Sequence, residues 1–182
     1  IDCAKRGEDA YIIAKMNSLL DKRVIAKLYE ASANGVKIDL IVRGICTLRP
    51  GIAGVSDHIT VRSIVGRFLE HHRLFYFRNG GNEKLFLSSA DWMPRNLNER
   101  VELMIPIEDK RHKSRIKGIL DLYLVDTLKT HIMRADGSYY KASNVEGPLS
   151  AQEELMEAAN TQDNKEQMTV IERFKPMFKM KE

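Results

Sequence analysis

Two side chains separated by one residue, His71 and Arg73, raise the first chemical question in this sequence. They lead into the apolar run Leu74-Phe-Tyr-Phe77, which reads as a strand. On a strand, positions i and i+2 share a face, so the imidazole and the guanidinium are expected at one locus, with His72 turned away. An imidazole can act as nucleophile or general base, and a guanidinium balances oxyanion charge. That layout suits a phosphoryl group, although His-x-Arg taken alone is more often structural. Other polar groups fall at the ends of other apolar runs. Arg43 follows Ile41-Val42, and Lys15 and Asn17 close Tyr11-Ile-Ile-Ala14. If these two strands are neighbours, the three side chains line one edge, beyond the carboxyl ends of parallel strands where open α/β sheets bind ligands. Ser88-Ser89-Ala90-Asp91 ends the run Lys84-Leu-Phe-Leu87. Its hydroxyls and N–H groups can meet phosphate oxygens or form an ordinary Ser/Asp turn. Arg95 and Asn96 lie just beyond, and Trp92 is either a stacking surface or core.

Several chemistries find no support. There is no Gly-x-x-x-x-Gly-Lys phosphate loop and no kinase-type glycine loop. Cys3 and Cys46 are too few for a disulfide framework, and no His/Cys/carboxylate spacing suggests a metal site, so none is expected here. A reduced, cytoplasmic setting fits this cysteine usage. No apolar run approaches the length of a membrane span. The chain starts at Ile1 with nothing like a signal peptide, and the expectation is a piece of a longer protein. The net charge is +4, but residues 147–182 hold five Lys/Arg against seven Asp/Glu, which leaves +6 on residues 1–146. Positive charge thus travels with the candidate site, as an anionic ligand would favour, though so modest an excess is also common on a solvated surface.

The elements that must position these residues follow from periodicity. Residues 11–17 read as a strand, Asp21 as an N-cap, 24–33 as a helix stopped at Asn34-Gly35, and 36–42 as a second strand. Strand, helix, strand over this length is a βαβ unit with parallel strands. Residues 47–57 form a loop and 59–65 a third strand, a short irregular or helical piece runs through Phe68 and Leu69, and 71–77 with 84–89 form a hairpin. Residues 101–107 form a further strand, which Pro106 restricts to an edge or a strand end. Ile116, Ile119, Leu120, Tyr123, Leu124, Thr127 and Leu128 form one stripe of a helix over 113–133. Residues 135–147 read as turn, 148–159 as a helix with a Ser150–Glu153 capping box, and 162–174 as possible further helix. The fold class is α/β, a mixed sheet with a C-terminal helical extension. The expected boundaries are 1–134 for the α/β domain and 135–182 for the extension.

Four blocks then carry a resemblance. Lys15-Met-Asn-Ser-Leu19, Ile41-Val-Arg-Gly-Ile-Cys46, Ser63-Ile-Val-Gly-Arg-Phe-Leu-Glu-His71 and Ser88-Ser-Ala-Asp-Trp-Met-Pro-Arg-Asn96 together closely resemble the C-terminal catalytic domain of the long, multidomain bacterial polyphosphate kinases, over roughly Ile12 to Met133. The resemblance implies a phospholipase-D-like α/β domain, the second of two that share a cleft. His71-x-Arg73 resembles the superfamily's His-x-Lys, and Ser88–Asp91 its downstream small-residue element. The Asp of that motif, separated from the Lys by four residues, is replaced by Arg78, which counts against the usual hydrolytic route.

By the same resemblance, the enzyme reversibly moves the terminal phosphate of ATP onto polyphosphate, through a phosphohistidine on the other domain, and needs Mg2+ bound mainly outside this chain. His71 matches the family's second essential histidine, expected to contact ATP phosphates and move a proton. Arg43 matches an arginine that binds ATP phosphate. Lys15, Asn17, Arg73, Ser89, Asp91 and Arg95 complete the expected phosphate-binding set. Expected partners are ATP/ADP, inorganic polyphosphate, the enzyme's own N-terminal domains and, in the full-length form, further copies of itself, but not nucleic acid. The full-length enzyme could also associate with a membrane. This chain alone is expected to be inactive. The alternatives are a homodimeric phospholipase-D-like phosphodiesterase and a non-catalytic polyanion-binding module.

Overall fold

The computed structural model describes residues 1–142 and 148–161. After a short helix α1 (Asp2–Lys5) come β1 (Tyr11–Met16), α2 (Lys22–Ala33), β2 (Lys37–Val42) and β3 (Ile59–Ile64). The hairpin β4 (Arg73–Phe77) and β5 (Lys84–Ser88) follows, then α3 (Pro94–Glu99), β6 (Met104–Pro106) and α4 (Lys110–Val125). The strands β7 (Thr130–Met133) and β8 (Tyr139–Lys141) complete the named elements, and a last helix, α5, covers 151–161. The eight strands form one sheet in the order β6-β5-β4-β1-β2-β3-β7-β8. β1, β2 and β3 are parallel, as the βαβ pattern requires, and every other pairing is antiparallel.

Alternation along the strands divides the core between two faces. Ala14, Met16, Ile38, Leu40 and Phe75 pack on one side, where α2 contributes Ile25, Leu28 and Ala31. Ile13, Ile41, Leu74, Tyr76 and Leu85 pack on the other, against Leu120 and Tyr123 of α4 and Ala151 of α5. Helices on both faces of a mostly apolar central sheet give a three-layer α/β arrangement. Asp21 caps α2 as expected, its carboxylate accepting from the N–H groups of Arg23 and Val24 at 3.0 Å each. Gly35, with φ +86°, lets the chain reverse into β2. β6 is the outer strand, the position Pro106 allows.

The structure departs from the sequence expectations beyond α4. The helix does not run to residue 133. It stops at Asp126, whose buried carboxylate accepts from Lys129 N–H (2.9 Å) and Thr130 Oγ1 (3.1 Å) and so favours a turn over another helical turn. Residues 130–133 then become a strand, and part of the stretch read as turn, 139–141, pairs with it as β8. The sheet therefore continues past residue 134, where the end of the α/β domain was expected. The expected helix start at 148 moves to 151, with Ser150 Oγ accepting from Glu153 N–H at 3.4 Å. The expectation for 162–174 lies outside the described residues.

Candidate active site at the carboxyl ends of the parallel strands

β1 and β2 end level with one another, Met16 opposite Val42. The chain beyond them stays paired: Gly44 N–H donates to Asn17 O (2.8 Å), and Leu19 N–H to Ile45 O (2.9 Å). The segment after β5 joins this edge, because Leu20 and Asp21 both donate to Trp92 O (2.8 and 2.9 Å). β4 runs antiparallel to β1, so its first residue, Arg73, lies at the same end of the sheet, opposite Ser88 of β5. Residues far apart in sequence therefore converge where β1, β2 and β5 end and β4 begins.

At the centre is a buried ion pair. Arg73 Nη2 lies 2.9 Å from Asp91 Oδ2 and Nε 3.1 Å from Oδ1, the two-pronged geometry that makes such pairs strong. The side chains are only 8% and 9% exposed. Asp91 also accepts from Asn17, at 2.7 Å from the backbone N–H and 3.4 Å from the amide. Burial alone would raise the Asp91 pKa, but the Arg73 and Asn17 hydrogen bonds outweigh it and hold the carboxyl below its ordinary range. The pair extends in two directions. Asn17 Oδ1 accepts from Arg43 Nε at 2.7 Å, and Arg73 Nη1 donates to the carbonyl of His71 at 2.6 Å. A continuous polar relay, Arg43–Asn17–Asp91–Arg73–His71, thus runs across the strand ends. Its two outer members are the less buried ones, Arg43 partly buried and His71 exposed.

The predicted residues take different parts in this arrangement. His71 does not lie on the strand, since β4 begins at Arg73. Its ring has no hydrogen bond to another described residue and is free to meet a ligand. The guanidinium of Arg73 is committed inward, so what it offers His71 is a hold on its backbone. Lys15 is buried against Glu70 at 2.9 Å and sits 5.0 Å from the Tyr123 ring centre. Burial lowers its pKa despite the Glu70 partner, and the Arg43 and Arg73 charges add to the effect. Asn17 is in the relay, as the proposed edge with Arg43 implied.

Ser89 donates to Glu102, accepts from Leu103 N–H at 3.0 Å, and ties the strand end to the approach to β6. Asn96 Nδ2 also donates to Glu102, at 2.6 Å, and the two donors hold that carboxyl below its usual range. Arg95 is exposed on α3. Trp92 stacks on Phe75 with centroids 4.7 Å apart and belongs to the core rather than to an open platform. Arg78, where the phospholipase D motif carries Asp, lies at the far end of β4 and pairs with Asp9 at 2.9 Å.

Sequence reasoning left three residues out. Glu70 grips Lys15, and His72 packs beside Tyr123 at 5.8 Å between ring centres. Burial, then repulsion from Lys15, pushes the His72 pKa down to about 4. Gln152 reaches back to Phe68 across 84 positions. The sequence carried a signal for Glu70, an acid beside two histidines, but none for Gln152.

Comparison with known proteins identifies the family and the fold. The family model for polyphosphate kinase C-terminal domain 2 matches residues 1–152. The chain is 54% identical over 156 residues to the polyphosphate kinase of Pseudomonas aeruginosa, covering 85% of this chain and 23% of that protein. It is 58% identical over 136 residues to the polyphosphate kinase of Bacillus anthracis, covering 75% of this chain and 19% of that one. The chain thus spans less than a quarter of the length of these relatives. The crystal structure of polyphosphate kinase from Porphyromonas gingivalis matches with a TM-score of 0.84 at 41% identity, over 90% of this chain and 25% of that one. Nuc, a phospholipase D family member from Salmonella typhimurium, matches with a TM-score of 0.51 at 14% identity over 72% of this chain and 86% of that one, a likeness of fold. The chain belongs to the family of polyphosphate kinase C-terminal domains, built on a phospholipase-D-like α/β sheet.

Proposed function

We propose that this chain is one half of the catalytic cleft of a polyphosphate kinase, which reversibly transfers the terminal phosphate of ATP to polyphosphate. The observation that carries the proposal is the relay at the strand ends. Its buried ion pair fixes Asn17 and the His71 backbone, while the His71 ring and the Arg43 guanidinium remain at its accessible ends. Arg43 neutralises phosphate oxygens, and its Nε–H bond to Asn17 fixes the plane of the guanidinium. His71 meets the transferring phosphoryl group and gives or takes a proton. The phosphohistidine belongs to a domain outside this chain, so the chain alone does not turn over. ATP, ADP, polyphosphate and the remaining domains of the same enzyme are its partners in this reading, and the full-length enzyme is a cytoplasmic homo-oligomer.

The family implies magnesium, but the residues here do not fit it. Among the described residues no three His, Cys, Asp or Glu side chains gather to hold a metal ion. Both oxygens of Asp91 are engaged by Arg73 and Asn17. We assign the magnesium ligands outside this chain. Among the described residues no helix is long and apolar enough to cross a membrane.

The test is ATP-dependent polyphosphate synthesis by the full-length parent carrying His71→Ala or Arg43→Ala. Loss of at least ~100-fold is expected for His71→Ala, in the range for a proton-transfer group, and a smaller loss for Arg43→Ala, with a raised KM for ATP. Near-normal activity in both variants would sink the proposal. Robust phosphodiester hydrolysis by the isolated chain would point instead to a phosphodiesterase.

A further inference from the structure

Residues 65–72, which carry His71 into the site, form no helix or strand. Of these only Gly66, Glu70 and His72 are partly buried, and the others are exposed. An open pocket of about 300 Å3 lies against Phe68, Glu70 and His72, lined on the other side by Tyr123, Gln152 and Leu155. A segment so placed stays in one conformation only if its backbone is tied. Arg73 holds the carbonyl of His71 and Lys15 holds the side chain of Glu70. The third tie comes from the opposite end of the chain. The buried Gln152 accepts from Phe68 N–H through Oε1 at 2.9 Å and donates to Phe68 O through Nε2 at 3.0 Å. One primary amide satisfies both backbone groups of one residue, as a neighbouring strand would.

This clamp is anchored and has room made for it. Ala151 N–H donates to Asp126 Oδ2 at 2.8 Å, and Leu149 O accepts from the N–H groups of Thr127 and Leu128 at 3.0 and 3.1 Å. The start of α5 is thereby fixed to the end of α4. With the amide in this place a Cβ at residue 66 would lie inside van der Waals contact of Gln152 Oε1 and Cδ, so a side chain there would displace the amide. The φ of Gly66 is not in the left-handed region, so the glycine serves the close approach of the amide.

We infer that Gln152 is a positioning residue for His71: it locks Phe68, three residues upstream, and so fixes the path on which the imidazole approaches the phosphates. The inference rests on the reading that His71 meets those phosphates. A displacement of about 1 Å in a catalytic group costs on the order of 100-fold in rate, so the clamp bears on kcat more than on folding.

The experiment uses the full-length parent with Gln152→Ala, Gln152→Glu, Gly66→Ala, the double variant Gly66→Ala/Gln152→Ala, and His71→Ala. Three quantities are read: kcat and KM for ATP, the melting temperature, and peptide-level hydrogen exchange. Gln152→Ala and Gly66→Ala are each expected to lower kcat ~10- to 100-fold while KM for ATP changes less than ~3-fold. Peptides spanning 66–72 should lose protection while those of β1, β2 and α2 keep theirs. Gln152→Glu keeps the acceptor and loses the donor, so it should fall between Gln152→Ala and the parent. The double variant should be no worse than the poorer single one, because removing the amide makes room for the new methyl group.

Wild-type kcat in Gln152→Ala, multiplied losses in the double variant, or loss of protection throughout the domain would each overturn the inference. Near-normal turnover by His71→Ala would remove the functional reading and this inference together. An inactive His71→Ala beside a fully active Gln152→Ala would remove the inference alone.

Discussion

Replacing Asp91 with alanine tests the centre of the site. The substitution leaves the Arg73 guanidinium, 8% exposed, without its counter-charge, and frees the Asn17 backbone N–H that donated at 2.7 Å. Removing one partner of a buried ion pair costs about 3–5 kcal/mol, mostly through the charge left behind. For a chain of this size each kcal/mol lowers Tm by roughly 2–4 °C, so a drop of about 10 °C is expected. Replacing both partners with apolar residues of similar volume, Arg73→Met with Asp91→Leu, removes the orphaned charge. That double variant should be at least ~1 kcal/mol more stable than the two single losses added together.

The pH dependence follows from the sign of the shift. The folded-state pKa of Asp91 is depressed, so its stabilisation is present above the unfolded value and is lost as pH falls through the folded one. Asp91→Asn should therefore flatten the acid limb of a stability–pH curve below about pH 4. Melting followed by circular dichroism, with urea titrations from pH 7 to pH 3, supplies both measurements. An Asp91→Ala variant that melts within 1 °C of the parent would refute the claim that this pair holds the strand ends together.

The remaining predictions concern neighbouring features. His72 is half-buried with its pKa pushed down to about 4 from 6.5, so the unfolded chain takes up a proton between those values that the folded chain refuses. Its neutral burial stabilises fully above about pH 6.5 and is lost as pH falls towards 4. His72→Phe should remove that slope from urea midpoints, and an unchanged slope would count against the burial described. A Cβ at Gly44 would lie 2.8 Å from the Asn17 carbonyl oxygen and 3.2 Å from Ser18 Oγ. Gly44→Ala should thus cost about 1–3 kcal/mol, measured in urea, and raise KM for ATP in the full-length parent by moving Asn17 away from Arg43. An unchanged KM would show that the Arg43 plane does not depend on Asn17.

Much of the scaffold was legible because it is local. Asp21 before an apolar 3.6-residue pattern and Gly35 after it define α2, and the apolar runs on either side can only be parallel strands. Pro106 placed its strand at an edge because proline has no N–H to give. The misreading over 126–141 has an equally local cause. Thr127 and Leu128 prolong the apolar stripe of α4, and periodicity does not reveal that the Asp126 carboxylate will take the next N–H groups for a turn. The site was legible as a set of residues, because polar groups stood at the ends of apolar runs, but their roles were not. Arg73 was expected to bind phosphate, and its pairing with Asp91, 18 residues on, becomes visible only when the two are seen against each other.

The family, the parallel core of the sheet, and the residues that gather near its carboxyl edge can be read from the chain alone. These depend on near-neighbour patterns and on side-chain types, which the chain carries explicitly. Only the tertiary structure decided which cations are free and which are neutralised, and what holds His71 in place. Asn17 meets Asp91 across 74 positions and Gln152 meets Phe68 across 84. No local preference encodes such contacts; they exist because the packed sheet and helices bring the segments within hydrogen-bond reach, and burial then makes each unpaired polar group too costly to leave.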